Sequence, residues 1–174
     1  MRILGIDPGL TRCGVGVVDV DARRNPTFVF VHVIRTDSNL ALPQRLLELE
    51  TELADIFQRY APESVAIERV FSQQNVRSAM DTASAIAVAS LLCARQSIPM
   101  STYTPTEVKA AVSGNGRADK AQVTTMVSRV LKLDTPPKPA DAADALALAL
   151  CHTWRGLGQM RLNDSFNKSV GALT

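Results

Sequence analysis

Hydrophobic positions along the chain follow two kinds of pattern, and together these predict a series of strands and helices. Short apolar runs that are rich in β-branched residues and bounded by Gly, Pro or polar residues predict strands. Apolar residues that recur every three or four positions predict amphipathic helices. The predicted strands cover residues 2–7, 13–20, 27–36, 64–68 and 99–103. The predicted helices cover residues 42–60, 76–96, 104–113, 119–131 and 140–154.

The order of these elements predicts an α/β fold with a five-stranded mixed sheet flanked by helices. The turn at 21–26 separates strands two and three, which are therefore expected to form a hairpin. The first three strands should form an antiparallel meander, and the sheet should continue into two parallel strands. Residues 1–155 are predicted to form one domain. Residues 156–174 mix Gly, Asn, Ser and Lys without periodicity, which predicts a flexible C-terminal tail.

The long helix at 76–96 has apolar residues on more than one side, which is typical of a helix buried on two sides. One stripe consists of Val76, Met80, Ala83, Ala87 and Ala94, and a second consists of Ala79, Ile86 and Cys93. One side is expected to cover the sheet and the other to meet a partner subunit. The alternative is a helix buried entirely within the monomer, for which so small a domain has little room.

Composition is that of a globular protein rather than a disordered one: 46% of the 174 residues are hydrophobic. No apolar stretch is expected to reach the ~20 residues that span a bilayer, and the N-terminus reads as a strand rather than a signal peptide. Cys13, Cys93 and Cys151 lie far apart among apolar neighbours, which predicts buried free thiols in a reducing compartment. These features predict a soluble, cytoplasmic protein. His32 and His152 are isolated, and no role is assigned to them.

Charge is distributed unevenly, although the net charge is only +2. Residues 37–68 contain seven acidic side chains and two arginines, whereas residues 69–138 contain nine basic and four acidic side chains. A basic half that follows an acidic half fits a surface for polyanions such as DNA. Ordinary solvated helix surfaces explain the same distribution equally well.

Four acidic residues close or open predicted elements. Asp7 ends the first apolar run and Glu68 ends the fourth, while Asp141 and Asp144 lie three residues apart at the start of the last helix. Asp7 and Glu68 should end neighbouring parallel strands, and the two helical aspartates should share one face in the first turn. Hard divalent cations bind such oxygen ligands and offset the repulsion between them.

The four acids are therefore predicted to hold two Mg²⁺ ions about 4 Å apart, as in two-metal phosphoryl-transfer sites. One ion would activate a water molecule as the nucleophile, and the other would stabilise the leaving 3′ oxygen. Taken singly, each acid has an ordinary explanation. Asp141 is a common residue at a helix start, and Glu68 is a strand-end residue able to pair with Arg69.

Two lysines and one aromatic residue are candidates for contacts with a nucleic acid. Lys109 and Lys120 follow the fifth strand and are predicted to contact the scissile phosphate or to balance charge in the transition state. Surface solvation is the alternative for each. Phe71, in the polar loop 71–75, is predicted to stack on an unpaired base. The alternative for Phe71 is a hydrophobic staple onto the next helix.

Five segments in a fixed order resemble the RuvC family of Holliday-junction resolvases, and the resemblance covers nearly the whole chain. They read ILGIDPG at 3–9, AIERVF at 66–71, VKAAVSG at 108–114, ADKAQV at 118–123 and ADAADAL at 140–146. The resemblance implies an RNase H-like fold and a homodimer. It also implies a Mg²⁺-dependent endonuclease, with Mn²⁺ as a substitute, that makes paired symmetric cuts across a four-way DNA junction in recombination and repair.

The resemblance also assigns roles to residues. The catalytic acids of the family fall on Asp7, Glu68, Asp141 and Asp144, its functional basic residues on Lys109 and Lys120, and its junction-disrupting aromatic residue on Phe71. Some relatives have His at the position of Asp144, so that position accommodates a neutral ligand or base. The residues expected to contact DNA are Arg69, Phe71, Asn75, Arg77, Lys109, Arg117 and Lys120. The family works with the RuvA–RuvB branch-migration complex, which is therefore an expected partner.

Two other functions compete with this interpretation. The segment 7–11 followed by Gly14 resembles the first phosphate loop of actin-type and sugar-kinase-type ATPases, but those enzymes need two such domains and 174 residues hold one. A module that binds junctions without cutting them is the second alternative. Four clustered acids argue against it, because they would repel one another without a metal ion.

Overall fold

The computed structural model describes residues 1–69 and 76–156. Its elements agree with the predicted ones in type and order, with ends that differ by a few residues. The strands are β1 Arg2–Asp7, β2 Arg12–Val20, β3 Pro26–Arg35, β4 Ser64–Glu68 and β5 Met100–Tyr103. The helices are α1 Leu42–Tyr60, α2 Val76–Arg95, α3 Pro105–Ser113, α4 Lys120–Val130 and α5 Ala140–Cys151. The last helix is shorter than predicted, because a π-helical turn at His152–Gly156 follows it.

Within the described residues the strands form one mixed sheet in the order β3-β2-β1-β4-β5. β1 pairs antiparallel with β2, and β2 pairs antiparallel with β3. β4 runs parallel to both β1 and β5. This confirms the predicted meander with its parallel extension, and it places the carboxyl ends of β1, β4 and β5 at one edge of the sheet.

Helices cover both faces of the sheet, and each face has its own apolar core. On one face Leu4, Ile6 and Val15 pack with residues of α1 and α2. On the other face Ile3 and Val18 pack with residues of α3, α4 and α5. Helix α5 is buried along almost its whole length, which explains why its sequence is apolar on every side.

Three glycines allow α5 to lie directly against the strands. A Cβ atom on Gly5 would meet the carbonyl oxygen of Ala145, and one on Gly14 would meet the carbonyl oxygen of Asp141. A Cβ atom on Gly16 would lie 2.9 Å from the amide nitrogen of Leu146. Glycine in a strand often marks such a close backbone approach. The approach fixes where the first turn of α5 lies relative to β1 and β2.

Helix α2 exposes one of the two stripes predicted for it. Its buried residues are Ala85, Ala89, Leu92 and Cys93. Its exposed apolar residues are Val76, Met80, Ala83, Ala87, Leu91 and Ala94. Burial of the whole helix within the monomer is therefore wrong for the isolated chain. Judged by length and composition alone, α2 is also long and apolar enough to cross a membrane, contrary to the expectation that no segment is.

The three cysteines are buried free thiols, as expected.

Candidate active site

Carboxylates from three distant segments meet at the carboxyl edge of the sheet. Ile6 and Ile67 are paired across the parallel strands β1 and β4, so Asp7 and Glu68, which follow them, lie side by side. Asp144 reaches the same place from the second turn of α5. These three carboxylates line one cavity of about 310 Å³. The rest of its lining is Pro105, Val108, Lys109, Lys120 and Val123.

The fourth predicted acid, Asp141, lies beside this cavity rather than in its lining. Its side chain is 19% exposed, and its Oδ2 atom lies 3.3 Å from Nε of Arg12. The charge of Asp141 still acts on Asp7, since it is one of the three negative charges that raise the pKa of that residue. The four acids therefore influence one another electrostatically, and the Asp141 side chain is paired with the guanidinium of Arg12.

Burial and mutual repulsion disfavour the ionised form of the innermost acids. The pKa of Asp7 is raised to about 7, first by burial and then by the negative charges of Glu68, Asp144 and Asp141. The pKa of Glu68 is also raised, by burial and then by Asp144. Buried carboxyl groups near like charges behave in this way unless a cation compensates them.

The two predicted lysines enter the cavity from helices that begin at well-formed caps. Thr104 and Glu107 form a capping box at the start of α3, which carries Lys109. A second box, between Asp119 and Gln122, starts α4 directly before Lys120. Both motifs satisfy free backbone amides in the first turn and so fix where each helix begins. The lysines are therefore placed by local sequence signals.

Lys120 is paired with a carboxylate of the site. Its Nζ atom donates a hydrogen bond to Oδ2 of Asp144 at 3.1 Å. This hydrogen bond, together with the negative charge of Asp144, raises the pKa of Lys120. The positive charges of Lys120 and Lys109 lower the pKa of Glu68 and so offset part of its rise. Lys109 and Lys120 thus compensate part of the negative charge at the cavity.

The donor set has the chemistry that a hard divalent cation requires. It supplies carboxylate oxygens, and a cation would relieve the repulsion that raises the pKa of Asp7. As the side chains stand, the described residues contain no group of three or more His, Cys, Asp or Glu placed to hold a single ion. Two of the four acids, Asp141 and Asp144, are instead paired with Arg12 and Lys120.

The other residues expected to contact DNA are only partly described. Arg69 is exposed after β4 and donates a hydrogen bond to Thr102 Oγ1 at 3.3 Å, and in the described part of the chain no ion pair joins it to Glu68. Arg77, in the first turn of α2, and Arg117, before α4, are also exposed. The expected contacts of Phe71 and Asn75 lie outside the described residues.

Two features of this region escaped the sequence analysis. Arg12 pairs with Asp141, although a lone arginine after a turn carries no signal of that role. His152, to which no role was assigned, is fully buried and accepts or donates two hydrogen bonds. Its Nε2 atom lies 2.8 Å from Ser64 Oγ and its Nδ1 atom 2.7 Å from the Tyr103 hydroxyl. This network ties β4 and β5 to the end of α5.

Comparison with known proteins agrees with this geometry. The family model "Crossover junction endodeoxyribonuclease RuvC" matches residues 3–152. The proteins of that name from Salinispora arenicola and Streptomyces avermitilis are 60% and 59% identical to this chain. The first alignment covers 93% of each chain, and the second covers 95% of this chain and 94% of its relative.

The fold is also that of a solved structure with this name. Thermus thermophilus RuvC, solved in complex with a Holliday junction substrate, superposes with a TM-score of 0.83 at 32% identity. The match covers 87% of this chain and 92% of that one, which confirms the RNase H-like fold. The chain therefore belongs to the RuvC family of crossover junction endodeoxyribonucleases, which are metal-dependent nucleases.

Proposed function

We propose that this protein resolves four-way DNA junctions by hydrolysing one phosphodiester bond in each of two opposed strands, in recombination and repair. The observation that carries the proposal is the cavity in which Asp7, Glu68 and Asp144 lie with two lysines at the carboxyl edge of the sheet. The relative from Thermus thermophilus was solved with a Holliday junction substrate, which supports the choice of substrate. Family membership favours this nuclease activity over the ATPase alternative.

Within this site, we propose that Asp7, Glu68, Asp141 and Asp144 hold Mg²⁺. Mn²⁺ is expected to substitute for it, because it accepts the same oxygen donors. When bound, the metal ions lower the pKa of a water molecule and stabilise charge on the scissile phosphate. Asp7 is the central ligand in this proposal, because three other carboxylates act on its pKa. Asp144, which pairs with Lys120, serves in this proposal as a metal ligand or as a base.

In this proposal the two lysines contact the scissile phosphate and stabilise its charge. Lys109 and Lys120 line the same cavity as the acids, so a phosphate that enters it meets positive charge from two helices. Positive groups that are already in place stabilise charge that develops in the transition state. Arg69, Arg77 and Arg117 are exposed and are proposed to contact the DNA backbone. Phe71 and Asn75 are proposed to meet the bases at the junction.

A homodimer is part of the proposal, because paired cuts require two active sites at a fixed separation. The exposed apolar stripe on α2 supports it. Met80 is 64% exposed, Val76 80% and Leu91 49%, and the alanines between them permit close approach of a second helix. A two-fold interface brings the same surface of both subunits together. We also propose that the protein acts in the cytoplasm, with the RuvA–RuvB complex as a partner. In this proposal residues 1–155 form its nuclease domain.

The decisive experiment compares Asp7→Asn with the wild-type protein on a synthetic four-way junction in Mg²⁺, with a linear duplex as the control substrate. We expect Asp7→Asn to cut the junction about a hundredfold more slowly or worse and to bind it undiminished in EDTA. Asp55→Asn is the matched control, because Asp55 is exposed on α1 away from the cavity; it should cut like the wild type. Equal cleavage by Asp7→Asn and wild type would refute the assigned site, and binding without cleavage by the wild type would favour a junction-binding module.

A further inference from the structure

Arg12 occupies a position between the acidic site and solvent. It is the first residue of β2, and its Nε atom lies 3.3 Å from Oδ2 of Asp141. The Arg12 side chain is 55% exposed, whereas that of Asp141 is 19% exposed. Arg12 does not belong to the cavity lining. It therefore holds one of the four carboxylates from outside, while the solvent side of its guanidinium stays open.

The backbone around Arg12 is held in place, and the ion pair with Asp141 offsets a repulsion between Arg12 and a neighbouring arginine. Arg12 is paired across the strands with Arg35, and like charges directly opposite one another destabilise a sheet. The preceding residue, Thr11, is held from α1, because Arg45 donates a hydrogen bond to its Oγ1 atom at 2.8 Å. Arg45 also donates a hydrogen bond to Oγ1 of Thr36, directly after β3, at 3.0 Å. The backbone next to Arg12 is thus held at this edge, and Asp141 compensates the charge of the Arg12 guanidinium.

We propose that Arg12 couples metal binding to DNA binding, by competing with the metal ion for Asp141 until a DNA phosphate takes its place as the partner of Arg12. This rests on the proposed function. Guanidinium groups bind phosphate oxygens strongly, so a phosphate at the mouth of the cavity draws Arg12 away and frees the carboxylate. Each ligand then strengthens the binding of the other, because coupling between two binding events is reciprocal. The nuclease loads its metal most tightly when its substrate is present.

The first measurement is the affinity of the DNA-free protein for Mg²⁺ and Mn²⁺, by isothermal titration calorimetry. Removal of the competing cation in Arg12→Gln should strengthen metal binding about two- to fivefold, the range expected for a partly exposed ion pair. Arg35→Gln is the matched control, since it removes the same charge from the residue directly opposite on β3. It should bind metal like the wild type.

The second measurement is the affinity for a synthetic four-way junction in EDTA over a range of salt concentrations. Arg12→Gln should bind the junction more weakly, and the slope of log affinity against log salt should be smaller by about one, as expected when one phosphate contact is lost. The substitution thus strengthens one binding event and weakens the other. A variant that is merely misfolded would weaken both.

The inference is overturned if Arg12→Gln leaves metal affinity unchanged or weaker, if Arg35→Gln strengthens it equally, or if junction affinity does not fall. If the wild type binds metal, Asp7→Asn does not, and Arg12→Gln binds it as tightly as the wild type, only this inference is overturned. The proposed function then still holds. A wild-type protein that binds no metal, with or without the junction, overturns both.

Discussion

The backbone carbonyl oxygen of Asp141 lies against Gly14, in the space that a Cβ atom would fill at that position. Gly14 is also the cross-strand partner of Asp7. The contact between α5 and β2 therefore sets the distance of Asp141 and Asp144 from Asp7. A residue without a side chain thus helps to set the geometry of the candidate active site, although it has no functional group to contribute.

Gly14→Ala should consequently weaken metal binding. The added methyl group meets backbone atoms of Asp141, which cannot rotate away, so the first turn of α5 must shift. We expect metal affinity to fall about tenfold or more, because an open site depends on the placement of each ligand, and stability to fall by about 1–3 kcal/mol, as for overpacked cores. Calorimetric titration with Mn²⁺ and urea unfolding measure the two effects.

Gly16→Ala is the control for that substitution. Its added methyl group meets Leu146, five residues beyond Asp141 on the same helix. It should destabilise the protein to a similar degree and weaken metal binding less. If both variants lose the same metal affinity at the same loss of stability, general loosening of α5 explains the result and the specific role of Gly14 is wrong.

The sheet, its helices and the convergence of strand-end acids were predictable because they depend on local patterns. The hydrophobic periodicity locates each element, and parallel pairing of β1 with β4 follows from the order of elements, so Asp7 and Glu68 had to lie at one edge. In the structure, capping boxes set where the helices that carry the lysines begin, and these boxes are also local. Each element is signalled by residues close together in the sequence, and the order of the elements then sets the pairing of the strands.

Contacts between distant segments were not predictable in the same way. The pairing of Arg12 with Asp141 depends on where α5 crosses the sheet, and that crossing depends on glycines whose partners are backbone atoms more than a hundred residues away. The network around His152 joins three elements through single side chains. A lone His or Arg in a sequence has many possible partners, and only the packed structure selects one.

Metal binding should depend strongly on pH through Asp7. The pKa of its carboxyl group is raised to about 7, so below pH 7 the metal-free protein holds a proton there that a cation must displace. Metal affinity should therefore rise as pH increases from about 5.5 to 7.5 and level off above that, by up to about tenfold per pH unit in the lower part of the range.

Calorimetry in buffers with different ionisation enthalpies counts the protons released. We expect about one proton per binding event near pH 6 and markedly fewer near pH 8. Asp55→Asn should reproduce the wild-type profile, since Asp55 lies outside the site. Metal affinity that stays constant across this range would contradict the raised pKa of Asp7.

His152 should make the folded protein sensitive to acid. Burial lowers its pKa from 6.5 to about 4, so between these values the unfolded chain binds a proton that the folded protein excludes. The contribution of His152 to the free energy of unfolding is therefore fully present above pH 6.5. It is lost as pH falls towards 4, by about 3 kcal/mol in total. Urea unfolding of the metal-free protein at several pH values measures this loss.

His152→Asn separates this effect from the titration of carboxyl groups. The variant should be less stable than the wild type at pH 7, because the Ser64 and Tyr103 hydroxyls lose a well-placed partner in a buried site. Its stability should change less between pH 6.5 and 4, since the titrating group is gone. An equal pH dependence in both proteins would show that His152 is not the group responsible.

Met80 tests the proposed dimer through the stripe on α2. Met80→Glu places a charge on the two-fold interface, where the same residue of both subunits comes close, so desolvation and repulsion should dissociate the dimer. Sedimentation equilibrium should then report a monomer, and a junction should receive single, uncoordinated cuts.

Leu47→Glu is the matched control, because Leu47 is 63% exposed against 64% for Met80 but lies on α1. It should remain dimeric, since the same change in hydrophobicity then falls outside the stripe. A dimer that survives Met80→Glu, or one that Leu47→Glu dissociates, would place the interface elsewhere.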